Sequence, residues 1–217
     1  MRKFYTNKEE RINAYSHAIG ILLGLGACFY IFGHFSYERH HIWLFSISLY
    51  FIGMLSSYIS STIYHALPLS HSLKPFFRAC DHATIYWHIS GSYSPIALIV
   101  LIDYGYWGWI VFITQWIFAV IGTIISFKHL SNHSHLETAC FVAMGCMIFL
   151  FFKPFINSTS SSALTWILSE GGCYLIGAAF YSLHKIRYMH SIFHVCVLAG
   201  TVCHIMVIWY ILNYILS

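Results

Sequence analysis

The sequence predicts an all-α bundle of seven membrane-spanning helices. Three observations carry the prediction. Of 217 residues 59% are hydrophobic and only 8% charged, a mean hydropathy of +0.69 goes with that composition, and seven stretches each approach the ~20 residues needed to cross the hydrocarbon. A soluble body of this size would need far more charged surface than the chain can supply.

The spans are placed near 16-37, 42-66, 79-102, 106-127, 135-152, 163-183 and 191-213. The first follows a polar segment of fifteen residues that lacks the apolar core of a cleavable signal, so it is expected to be retained. Its Gly20-Ile-Leu-Leu-Gly24 repeat suits close helix packing, within the bundle as readily as between copies. The second ends in Ser61 and His65. The third opens with Asp81 and carries His88. The fourth and fifth are almost wholly apolar. The sixth carries Glu170 together with Gly171, Gly172 and Gly177, and the seventh runs from His190 and His194 through His204 to its apolar end. Connecting segments are short, the longest being residues 67–78 and the Ser-rich run from Asn157 to Ser162. Residues 1-217 therefore read as one transmembrane domain with a cytoplasmic segment at 1-15.

Positive charge sets the expected orientation. Arg2, Lys3, Lys8, Arg11, Lys74, Arg78, Lys128, Lys185 and Arg187 fall on one side, and only Arg39 and Lys153 on the other. The richer side is the cytoplasmic one, which puts the N-terminus inside and the C-terminus outside, in the plasma (inner) membrane. The formal +4 charge is thus loop charge that favours anionic lipid headgroups. It gives no reason to expect a nucleic-acid partner; the expected partners are membrane lipids, and oligomeric state is not readable. The seven cysteines form no CxxC pair and read as small packing residues.

In this topology three imidazoles reach one depth. The second span runs inward and ends near His65, while the seventh starts on the same side with His190 and His194, four residues apart and so on one helix face. Three histidines with a fourth position open is a catalytic-type zinc arrangement, although three ordinary interfacial histidines would give the same string. Intramembrane ionisable groups favour the functional reading. Ser61 shares a face with His65 and suits orienting a ligand or carbonyl, or bonding its own helix backbone. Asp81, on the same side, suits either a hydrogen bond to activated water or a pairing with Arg78. Glu10, Asn13 and His17, at i, i+3 and i+7, form a polar stripe entering the first span, equally compatible with a cavity wall and, for Glu9 and Glu10, with helix capping. His204 lies ~21 Å beyond His190 along the helix, too far to touch the same ion, and reads as a hydrogen-bonding partner across helices.

Glu9-Glu10-Arg-Ile-Asn13-Ala-Tyr-Ser-His17, Ser61-Thr-Ile-Tyr-His65 and His190-Ser-Ile-Phe-His194, with Asp81-His82-Ala-Thr-Ile-Tyr, Gly91-Ser-Tyr-Ser-Pro95 and Gly171-Gly-Cys-Tyr-Leu-Ile-Gly177, make the chain resemble the hemolysin III family. That family of seven-span proteins is related to progestin and adipoQ receptors and, more distantly, to alkaline ceramidases. The resemblance implies a Zn2+ ion held by His65, His190 and His194, with Asp81 reaching it through water and Ser61 nearby. His88 and Glu170 depart from the pattern. The expected function is zinc-dependent hydrolysis of a lipid amide or ester; the alternative is a non-enzymatic protein with structural zinc, acting as a cytolytic factor or a receptor-like regulator of membrane state.

Overall fold

A computed structural model describes residues 5–36, 40–128, 135–183 and 185–216. The described residues form eight α-helices: α1 (Asn7–His34), α2 (His41–Ala66), α3 (Lys74–Pro95), α4 (Trp107–Lys128), α5 (His135–Gly145), α6 (Phe152–Asn157), α7 (Ser161–Ser182) and α8 (Met189–Leu216). A π turn (Ile96–Val100) extends α3, and a 3-10 segment (Cys146–Phe151) joins α5 to α6. Six helical stretches are long and apolar enough to cross a membrane: α1, α2, α4, the composite Glu137–Asn157, α7 and α8. Large apolar side chains such as Leu22, Phe29, Ile117, Val120 and Ile176 project outward, as they do where lipid is the solvent. Helix α3 falls short of that apolarity because its first turns hold Lys74, Arg78 and Asp81. Arg2, Lys3 and Arg39, which entered the charge count above, lie outside the described residues.

Two expectations about connections need correction. Residues 74–78 belong to α3, leaving a loop of only 67–73, because Pro75 at the helix start suits the first turn, where an N–H would be unsatisfied anyway. The Ser-rich run is likewise shorter as a loop. Ser160 caps α7, its hydroxyl accepting from the Ala163 N–H at 3.2 Å, and Ser158 donates to the Tyr104 hydroxyl at 2.9 Å.

Sequence neighbours pack as spatial neighbours: α1 on α2, α2 on α3, α3 on α4, α7 on α8. Helix α8 returns beside α1, while α5 bridges α3 and α7. The central apolar cluster joins Tyr50, Met54 and Tyr58 of α2 to the π turn and to Val207, Ile208 and Ile211 of α8. Gly20 and Gly24 serve this closure rather than leaving a free face. A Cβ on Gly20 would sit 2.6 Å from the Tyr58 ring, and one on Gly24 would collide with the Met54 side chain. Gly20→Leu is therefore expected to push α1 off α2 and to lower the thermal midpoint in detergent, with a cost in the ~1–3 kcal/mol range of overpacked cores.

The fifth span, expected as continuous over 135-152, is broken after Gly145 and continues to Asn157. In hydrocarbon, backbone groups freed by such a break must find protein partners. The Tyr93 hydroxyl accepts from the Ile148 N–H at 2.9 Å and donates to the Gly145 carbonyl. Gln115 Nε2 donates to the Met144 carbonyl at 3.0 Å. Tyr93→Phe strands two backbone groups at once and should cost about 2 kcal/mol, readable as a lower midpoint in chemical denaturation.

Candidate metal centre

The start of α1 fixes everything that follows on its inner face. Thr6 and Glu9 form a capping box: the Thr6 hydroxyl accepts from the Glu9 N–H at 3.2 Å, and Glu9 Oε2 accepts from the Thr6 N–H at 2.8 Å. Glu9 Oε1 also accepts from the Tyr188 N–H at 2.9 Å, tying α1 to the turn before α8, where Tyr188 holds a left-handed φ of 65°. Glu9 is thus committed to capping and tethering. Glu10 is not: it turns inward with the polar stripe in which the sequence placed it, so of the two acids only Glu9 caps.

Helices α1, α2 and α8 then bring their polar residues together. His190 Nε2 lies 3.3 Å from His65 Nε2 and 3.0 Å from His194 Nε2. The three ligand atoms all fall within 4.8 Å of one another, with His65 and His194 buried and His190 half-buried. The predicted trio is therefore assembled, and it could hold a metal ion. Its protonation argues the same way. His65 Nδ1 is 2.6 Å from Glu10 Oε2, an acceptor, so the proton of a neutral ring sits on Nδ1 and the Nε2 lone pair is bare. His194 Nδ1 faces the Asn13 carbonyl at 3.3 Å, which can only accept, so its Nε2 is bare as well. His190 Nε2 lies within hydrogen-bonding distance of both, so it can donate its N–H to one of those lone pairs or turn its own lone pair with theirs toward a shared cation. For a tetrahedral ion with Zn–N bonds of ~2.0–2.1 Å, ligand nitrogens stand ~3.3–3.4 Å apart; the two short separations match that edge to within about 0.4 Å.

The groups behind the trio are held in turn. Lys74, buried in its entirety, donates through Nζ to Glu10 Oε1 at 3.2 Å, to the Tyr64 carbonyl at 2.9 Å and to the Leu67 carbonyl at 2.7 Å. It offsets the Glu10 charge and locks α1, α2 and α3 together. Ser191 donates to Asn13 Oδ1 at 2.6 Å, and Ser16 lies 3.2 Å from His194 Nδ1. The His17 ring stacks on His194 with centroids 3.7 Å apart. Tyr5 stacks on His190 at 4.8 Å; burial, with the Tyr181 phenol and nearby carboxylates, pushes the Tyr5 phenol well above its ordinary value, so it stays neutral.

A cavity of about 460 Å³ opens from this centre. Ser61, Asp81, His190 and His194 line one end of it, and its walls are chiefly apolar, with Ile85, Phe141, Ile148 and Leu175 among them. The Ser61 hydroxyl is fully buried and makes no hydrogen bond within the protein, so it is available to a ligand. Asp81 is half-buried beside it. The far end of the cavity holds His88, Glu170 and His204, and His204 Nδ1 lies 2.8 Å from Glu170 Oε2. The cross-helix bond expected of His204 exists, and Glu170 is its partner.

Sequence reasoning missed Lys74 as part of the centre. One signal was present: a lysine on the first turn of a helix opposes the macrodipole, so its position calls for an acid nearby.

The chain is 29% identical over 194 residues to Hemolysin-3 of Bacillus cereus, covering 89% of this chain and 87% of that one. It is 30% identical over 198 residues to a Hemolysin-3 homolog of Bacillus subtilis (strain 168), covering 91% of each. A sequence profile described as Haemolysin-III related matches residues 5–205, so it takes in α1 through most of α8 and every residue of the histidine centre, and the chain belongs to that family.

Proposed function

We propose that this integral membrane protein is a zinc-dependent hydrolase of a lipid amide or ester. The observation that supports it most is the convergence of the histidine trio on one end of a long apolar cavity that also exposes an unpartnered serine hydroxyl and an aspartate. Zinc held by His65, His190 and His194 would polarise a carbonyl and activate water. Ser61 is positioned to donate to a carbonyl or an adjacent hydroxyl. Asp81 would orient the attacking water and take its proton. Apolar walls would hold the acyl chain and exclude bulk water from the amide. The Glu10–Lys74 pair keeps the His65 tautomer fixed through each turnover.

In the same proposal α3 makes the seventh crossing, with its charged first turns at the cytoplasmic face and its polar residues turned toward α2 and the cavity. The N-terminus is cytoplasmic and the C-terminus outside, in the plasma membrane, following the distribution of Lys and Arg. The centre then works in the inner leaflet, where water reaches it from the cytoplasm and lipid from the bilayer.

The test is elemental analysis of detergent-purified protein combined with turnover of a short fluorescent ceramide. One zinc per chain with turnover, reduced about 100-fold or more in Asp81→Asn with zinc retained, is the expected result. Zinc without turnover of any lipid amide or ester would overturn the hydrolase. Acidification is expected to release the metal, because protons compete with it for the imidazole nitrogens; a pH titration of bound zinc checks this. The relatives' printed name favours a second reading, membrane lysis. A lytic pore needs a polar face along several helices, and leakage from dye-loaded liposomes, unaffected by His65→Ala, would favour it.

A further inference from the structure

The far end of the cavity carries groups that the proposed hydrolysis does not use. His88 and His204 are both buried, and both leave Nε2 without a hydrogen bond inside the protein. Each lines the same cavity as His190 and His194. His204 Nδ1 is engaged by Glu170 Oε2 at 2.8 Å, so its Nε2 keeps one hydrogen-bonding valence whichever partner holds the proton. Tyr50 packs against the His204 ring with centroids 4.6 Å apart, and its hydroxyl too is buried and unpartnered. Unsatisfied polar groups are rare in protein interiors, and at membrane depth they are tolerated where they face a cavity. Among the described residues only the trio gathers ligand atoms as a metal site would, so the distal group is not a second metal centre.

We propose that this cluster is a subsite for a hydroxyl group carried on the acyl chain of the bound lipid. A hydroxyl fits because it donates and accepts at once: it can serve the Nε2 of one imidazole as donor and of the other as acceptor. The depth fixes where that hydroxyl must lie. His204 is ten residues beyond His194 on α8, ~15 Å at ~1.5 Å per residue, which corresponds to roughly twelve carbons of an extended chain, whose zigzag of ~1.5 Å bonds advances ~1.25 Å per carbon. The protein would select mid-chain hydroxylated acyl groups over plain ones. This rests on the reading that the acyl carbonyl sits at the trio.

The experiment measures binding of stearate, 2-hydroxystearate and 12-hydroxystearate to zinc-loaded protein by displacement of a fluorescent fatty acid, alongside ceramide turnover. The 12-hydroxy acid is expected to bind roughly two- to tenfold tighter than the other two, the range of one or two net hydrogen bonds. That preference should vanish in the double variant His204→Leu, Glu170→Leu, which removes both partners so that no charge is stranded. If the double variant does not fold, the positional series on the wild type decides alone. Equal binding of all three acids by protein that turns over ceramide overturns the subsite and leaves the hydrolase standing. Preference for the 12-hydroxy acid without turnover supports the subsite and overturns the hydrolase. Binding of none overturns the subsite, and ceramide turnover then decides the hydrolase by itself.

Discussion

Replacing His65, His190 or His194 singly with alanine is expected to eliminate stoichiometric zinc from the purified protein and to abolish lipid turnover. The three rings come from two helices 125 residues apart in sequence and share one point of convergence, so removing any one leaves two nitrogens that cannot enclose an ion. Loss of groups that merely orient ligands lowers metal affinity ~10–100-fold; loss of a ligand should exceed that. The effect should extend to stability. A bound ion that favours only the folded state stabilises it by mass action, so a chelator should lower the thermal midpoint of the wild type and leave the His65→Ala midpoint unchanged. His41, exposed at the start of α2, is the matched control: His41→Ala should keep both its zinc and its response to chelator. Zinc retained at one per chain in all three single variants would place the ion elsewhere.

The second large effect is expected at Lys74. Lys74→Met leaves the Glu10 carboxylate, whose side chain is 16% exposed, without its cation and frees two carbonyls at the end of α2. Breaking a buried pair from one side costs ~3–5 kcal/mol, and the residual exposure of Glu10 puts this case near the lower end, about 3 kcal/mol. Glu10→Gln should behave differently, keeping most of the stability but lowering metal affinity ~10–100-fold, because an amide holds the His65 tautomer less firmly than a carboxylate. The double variant separates the two roles. It should recover much of the stability lost in Lys74→Met and none of the affinity lost in Glu10→Gln. Midpoints that simply add would show that Lys74 and Glu10 act independently.

The histidine trio was legible from spacing and depth because helical periodicity and a cost on buried charge leave few alternatives. His190 and His194 had to share a face, and His65 had to end its span at the same level. The two ends of the cavity were less legible. Glu170 and His204 each stood out as a charge or imidazole in an apolar run, but their pairing depends on the rotation of α7 against α8, which periodicity alone does not set. Glu10 was legible as part of the stripe with Asn13 and His17, but capping stayed open to both acids, since only the Thr6 cap shows which of them closes the helix end. The break after Gly145 was hidden for another reason: its composition is that of an uninterrupted span, and the groups that tolerate it, Tyr93 and Gln115, lie on other helices. Helix α3 was placed among the spans from residue 79 on, but it starts earlier, and with Lys74, Arg78 and Asp81 in its first turns it is not among the six helical stretches apolar enough to cross a membrane.

The contacts of α1 set an order of events during synthesis. Asn13 takes its partner from Ser191, His17 stacks on His194, and Glu9 holds the Tyr188 amide, all residues translated more than 170 positions later. When α1 first meets the bilayer, its polar stripe has none of these partners, and Lys74 is the earliest charge to arrive that can neutralise Glu10. The stripe has no such partner until α8 packs beside it. Completion of the last helix is then the step that brings His190 and His194 to His65, so a chain truncated before α8 leaves the polar stripe of α1 without partners, while a finished chain buries it against α8.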